Sequence, residues 1–211
     1  MIKIVDDEGK NIKFACINRL NDIYLKPEVK LTILLFGMLF IFCGSVIGQI
    51  ISSMTDSRDG KVYSTIKIGK QEWTAQNMNF QNPNSWCYNA DPAKCEKYGR
   101  LYSYVGAAQA CPPGWRLPTL KDWNRLIEEV GEESAATQLR DGGTTGFDAL
   151  MAGVRYDYGG YNHLNENGYF WSHVFADNEP AWVFLIGRTM HSVARIQSFS
   201  GNGFSVRCIR R

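Results

Sequence analysis

Polar and apolar residues alternate along Val62-Tyr63-Ser64-Thr65-Ile66-Lys67-Ile68, the two-residue period of a half-buried strand. Gly69-Lys70 follows, a Gly-first pair suited to a tight hairpin, and Gln71-Glu72-Trp73-Thr74-Ala75 supplies the return strand. Farther along, the period becomes helical. Trp123, Leu126, Ile127 and Val130 fall at i, i+3, i+4 and i+7 and therefore share one face. Thr119 stands as N-cap, Asp122 three residues on forms an imperfect capping box, and Gly131 ends the run. A short Ala-rich helix is expected near Tyr104 to Ala110, stopped by Cys111-Pro112-Pro113-Gly114, with a weaker helical stretch from Ser134 to Leu139. Asn77 to Lys97 is Asn-rich and reads as irregular. After Asp141, short runs between Gly and Asn predict strands at Tyr169 to Ser172, Ala181 to Leu185, Val193 to Ile196 and Phe204 to Cys208. The order of a hairpin, two helices, long loops and antiparallel strands predicts an α+β domain. Trp73, Trp115, Trp123, Trp171 and Trp182 are assigned to its core.

One segment obeys neither period. Leu31 to Ile47 is apolar and uncharged, and Lys26 and Lys30 precede it. Its length lies between a signal-peptide core and a minimal membrane span. Val46-Ile47-Gly48 before Gln49 offers a cleavage site, and the alternative is an uncleaved anchor. Cys43 would suit lipidation, but Phe42 stands where a small residue is expected. The chain therefore divides into an N-terminal extension (1–30, explained by a start called too far upstream), a signal core or anchor (31–48), a linker (49–55) and a domain (56–211). The domain is expected outside the cytoplasm, with membrane contact only through the N-terminal segment.

Composition narrows the chemistry. A net charge of +2 over 211 residues, with no basic stripe interleaved with aromatics, argues against nucleic acid. Of six cysteines, four fall in the domain: Cys87, Cys95, Cys111 and Cys208. An even number in an exported domain points to two disulfides out of three possible pairings. The spacing lets Cys87 and Cys95 close a small loop, and Cys111 and Cys208 would then tie the middle of the domain to its end. Zinc is the competing reading, but no pair has C-x-x-C spacing and no histidine lies near one.

Several motifs recur in a recognisable order: Asp59-Gly60-Lys61-Val62-Tyr63, Ile68-Gly69-Lys70-Gln71-Glu72-Trp73, Gln76-Asn77-Met78-Asn79 and Tyr98-Gly99-Arg100-Leu101-Tyr102. Cys111-Pro112-Pro113-Gly114-Trp115-Arg116-Leu117-Pro118-Thr119 follows, then Trp123, Leu126, Phe147, Gly153, Arg155, Trp171-Ser172 and Ser205-Val206-Arg207-Cys208. As a set they resemble the Fibrobacter succinogenes major paralogous domain, found in exported proteins, over nearly all of Asp56 to Arg211. Arg116-Leu117-Pro118-Thr119 with Trp123, and Gly203-Phe204 with Arg207-Cys208, are also similar to the formylglycine-generating-enzyme and C-type lectin-like group. The resemblance implies a C-type lectin-like fold: termini brought into one sheet, two helices, antiparallel hairpins, and long irregular loops that bind ligands in many relatives. It implies no established activity.

The residues weigh against catalysis. A formylglycine-generating enzyme needs a pair of reactive thiols near its C-terminus, and only Cys208 lies there. His163, Glu166 and His173 could be drawn as an iron site, against the plainer reading of scattered loop histidines. Gly142-Gly143 and Gly159-Gly160 are turns without the Lys-Ser/Thr of a phosphate loop. Calcium is a candidate cofactor at Asp177, Asn178 and Glu179, or at Asp157 with Asn162, Asn165 and Glu166, although such residues also populate turns. Ala181 after Glu179-Pro180 leaves a sugar-gripping Glu-Pro-Asn run incomplete. Arg155, Tyr156, Tyr158, Tyr161 and Asn162, with Trp86 and Tyr88 in the other loop, form a candidate ligand surface of rings and polar groups. The expectation is a secreted or cell-surface binding module without catalysis, whose ligand is carbohydrate or a surface polymer. An adhesion module with protein partners and a metal-dependent enzyme are the rivals.

Overall fold

The computed structural model describes residues 51–173 and 181–211. The extension, the apolar run with its cleavage site, and the calcium candidates Asp177, Asn178 and Glu179 lie outside the described residues. Among those described, no helix is long and apolar enough to cross a membrane.

The expected hairpin is present as β2 (Val62–Ile68) and β3 (Gln71–Thr74), preceded by β1 (Ile51–Thr55). Gly69 takes the left-handed conformation that the turn requires (φ 56°). β1 corrects the reading of 49–55 as linker. It pairs antiparallel with β2, Met54 opposite Tyr63, and Ser52, Ser53 and Thr55 stay exposed on an edge strand whose polarity hides it from pattern reading.

The stretch expected to be irregular contains β4 (Ser85–Trp86) and α1 (Pro92–Tyr98). Asp91 caps α1 by accepting from the Ala93 amide at 2.9 Å, and Pro92 sits where a missing N–H costs nothing. β5 (Leu101–Tyr102), α2 (Tyr104–Ala108) and β6 (Trp115–Arg116) lead to α3 (Leu120–Val130). Both bonds of the capping box form: the Thr119 hydroxyl accepts from the Asp122 amide, and the Asp122 carboxylate accepts from the Thr119 amide. α4 (Ala135–Leu139) follows where the weaker helical stretch was expected, so of the four α-helices among the described residues only α1 lies in a region read as irregular.

The second half is built from β7 (Ala152–Arg155), β8 (Tyr161–Leu164), β9 (Asn167–Trp171), β10 (Ala181–Gly187), β11 (Ala194–Ser198) and β12 (Ile209–Arg210). β7 and β8 make a hairpin out of a region expected to be loop. Gly153 allows it: its φ is 70°, and a Cβ there would meet the Asn162 carbonyl oxygen at 2.4 Å. Phe204 to Cys208, expected as a strand, bonds in turn to Tyr102, Tyr169 and Trp171, Met78 and Thr74. A segment shared among so many partners cannot ladder with any one of them, and the regular strand begins only at Ile209.

Two five-stranded sheets result, β1-β2-β3-β12-β6 and β11-β10-β9-β7-β8, with β4-β5 as a separate pair. Trp73, Trp123, Phe147, Phe170 and Phe184 pack as one aromatic cluster, Trp123 stacked on Phe184 at 4.8 Å. Trp171, buried, donates its indole N–H to the Tyr102 carbonyl at 2.7 Å. Trp182 departs from its core assignment: it is half-buried, and the Arg195 guanidinium lies 4.7 Å from its ring. Disulfides join Cys87 to Cys95 and Cys111 to Cys208, with Cα separations of 5.0 and 5.7 Å. Sheet-rich α+β architecture with two disulfides is therefore the fold.

Candidate functional site

β4 and β5 carry the 86–88 segment to the side of β7, and the β7–β8 turn projects from the same place. Phe204, bridged to Tyr102 on β5, and Gly203, bridged to Arg155 on β7, fasten the two together. Gly203 is the hinge of this contact. A Cβ on it would meet the Arg155 Cβ at 3.1 Å, a tight contact, and the Trp86 ring at 3.5 Å, an ordinary one, so the backbone here runs close beneath both side chains.

There the Arg155 guanidinium lies over the Trp86 ring, 4.0 Å from its centroid. Its Nη1 donates to the Tyr156 carbonyl at 3.1 Å, which fixes the fork against the turn. Tyr88 and Tyr161 meet at 5.1 Å, and Tyr156 and Tyr158 stack at 5.2 Å with planes 12° apart. Residues of the two loops thus meet in pairs, Arg155 with Trp86 and Tyr88 with Tyr161 across the loops and Tyr156 with Tyr158 within one, and these pairs make up the candidate platform. Within it Trp86, Tyr88, Tyr156 and Tyr161 are half-buried, whereas Tyr158 is 78% exposed. Burial raises the pKa of the Tyr88 phenol, so it stays a neutral donor.

Asn162 is exposed on β8. Its side-chain oxygen accepts from the His163 amide at 2.8 Å, a local turn bond beside a residue held at φ 61°. The oxygens proposed beside it for calcium are similarly engaged. Asp157 accepts from the Tyr158 amide, Asn165 from the Tyr98 hydroxyl at 2.6 Å, and Glu166 contacts His163 at 3.2 Å. His163 stands on β8, while His173 bridges to Thr119 ahead of α3, so the drawn iron site divides between two places. Among the described residues no group of three or more His, Cys, Asp or Glu is arranged to hold a metal. Cys208 is bonded to Cys111 and supplies no free thiol.

Two parts of the platform carry no local sequence signal. Asn202 accepts from the Asp157 amide at 2.9 Å and donates to the Ser198 hydroxyl at 3.0 Å, tying the following loop to the tyrosine turn. That loop presents Phe199, 78% exposed. Chemically the platform offers ring faces, phenol hydroxyls and one oriented cation.

Residues 66–210 match the family model described as Fibrobacter succinogenes major domain. No match was found among curated proteins or among solved structures.

Proposed function

The chain belongs to the Fibrobacter succinogenes major domain family, and on that premise we propose that it is an exported, non-catalytic binding module whose platform takes carbohydrate or a surface polymer. The carrying observation is the pairing of Arg155 over Trp86 beside the exposed Tyr158. Sugar rings present C–H faces that stack on aromatics and hydroxyls that bond to polar groups at the rim, and the platform provides both. The fold is read as C-type lectin-like, supported by β12 joining β3 so that strands from both ends of the domain share a sheet. Export is supported by the apolar run at Leu31 to Ile47 and by two disulfides, which form in oxidising compartments.

A glycan array probed with the wild type and with Tyr158→Ala tests the platform. Binding to a defined set of neutral glycans, lost in the variant, is the expected result. An array with no signal above background removes carbohydrate as the platform's ligand. The exposure of both Phe199 and Tyr158 favours one second reading, an adhesion module that docks a protein through exposed rings. Capture of one dominant surface protein, unaffected by sugar competition and lost in Phe199→Ala, would establish it.

A further inference from the structure

A cavity of about 800 Å³ opens beside the N-terminal end of α3, on residues that the platform does not use. Its apolar lining includes Pro112, Pro113, Trp115 and Leu117, and its rim carries Arg58, Arg116, Lys121 and Arg125, with Arg211 and His173 alongside. The one side-chain carboxylate lining it among the described residues, Asp122, is already engaged: Arg116 holds it through two bonds of 2.6 and 3.1 Å. Arg58 is pinned in the same way by buried Asp56, at 2.8 and 2.6 Å, and also donates to the Gln109 and Ala110 carbonyls. Both guanidiniums are therefore balanced and rigid.

Lys121 and Arg125 are not balanced. They sit four residues apart on the exposed side of α3, where side chains at that spacing are neighbours, and they repel each other. Neither has a carboxylate partner among the described residues. A second hollow, lined by Lys67, Lys70, Arg116 and Arg125, continues the basic surface past the first. Its other carboxylate, Glu72, is taken by Arg210 at 2.9 Å. The result is an elongated track of positive charge on a chain whose net charge is only +2.

We propose that this groove binds a strand of acidic polysaccharide, its anionic groups on Lys121 and Arg125. Charge left uncompensated among the described residues calls for a counter-charge from a ligand. Elongation calls for a polymer rather than a single ion. A concave, apolar-floored groove suits a narrow chain better than a flat membrane surface. Trp115, the ring lining the groove, is only 8% exposed, so no open aromatic face is available there for stacking unpaired bases. The groove and the platform share no residues, and the proposal stands whether or not the platform binds sugar.

The test measures binding of the whole chain to polygalacturonate, heparin, neutral dextran, phosphatidylglycerol vesicles and a single-stranded oligonucleotide, at low and physiological salt. The expected result is binding to polygalacturonate or heparin but not dextran, weakened about tenfold or more by salt. Lys121→Ala/Arg125→Ala should weaken it by about tenfold or more, with an unchanged melting temperature, while Tyr158→Ala leaves it intact. Preference between the two polymers identifies carboxylate or sulfate as the anchoring group. Equal binding by the double variant and the wild type overturns the proposal. So does binding confined to vesicles or oligonucleotide, or no binding to either acidic polymer.

Discussion

Arg207 has no exposed surface, yet all three nitrogens of its guanidinium donate hydrogen bonds. It donates to the Asn77 side-chain oxygen at 2.7 Å, to the Thr74 carbonyl at 3.0 Å, and to the Phe147 and Asp148 carbonyls, with the Phe147 ring 4.6 Å below. Burial lowers its pKa to about 9, so it remains charged at neutral pH. Arg207→Ala would leave these buried acceptors without a donor and should cost roughly 3 kcal/mol or more in urea unfolding. Arg207→Lys should recover little of this, because a point cation cannot reproduce the fork. Asp122 yields a prediction of pH dependence. Burial pushes its pKa up, but hydrogen bonds from Arg116 and Thr119 together outweigh it and hold the carboxyl below its ordinary 3.8. A depressed carboxyl contributes stability that is complete above the unfolded value and is lost as pH falls through the folded one. Wild-type stability should therefore drop on acidification below about pH 4, and Asp122→Asn should be less stable at neutral pH with a flatter acid limb.

At the scale of elements, α3 depends on its first turn. Thr119→Ala removes one half of the capping box and should cost about 1 kcal/mol by thermal or urea melts. This helix and the β2–β3 hairpin were legible in the sequence because their signals are local: a cap, a period, a turn glycine. α1 carried a readable sign as well, Asp91-Pro92, which the surrounding Asn-rich composition obscured. The β7–β8 hairpin could not be read, since Gly153 looks like a loop residue until the Asn162 carbonyl is seen to occupy the space of its side chain. Phe204 to Cys208 misled for the opposite reason. Its alternation is real, but its hydrogen bonds are distributed among several elements. The platform was legible as composition and not as geometry. Trp86 and Arg155 meet across a long stretch of chain through Gly203, and neither Asn202 nor Phe199 announces a role locally. The basic groove was hidden by the near-neutral total, because Arg58, Arg116, Lys121 and Arg125 are dispersed among acids in sequence and are gathered only by folding.

At the scale of the whole molecule, the two disulfides constrain different amounts of chain. Cys87–Cys95 spans 8 residues and Cys111–Cys208 spans 97. On the loop-entropy account the longer closure contributes about 4 to 5 kcal/mol and the shorter one less, so Cys111→Ala/Cys208→Ala should lower the melting temperature more than Cys87→Ala/Cys95→Ala. An unreduced peptide map of exported protein should show both linkages and a mature chain beginning at Gln49. The segment from Phe204 to Arg210 also determines when the fold can exist. It supplies the bridge to β5, the fastening of β9, the guanidinium between Thr74 and Phe147, the second cysteine and the strand that joins β3 to β6 in the first sheet. A ribosome that has not yet translated these residues holds a chain whose first sheet lacks the link between β3 and β6. The domain therefore cannot close until synthesis has passed Arg210.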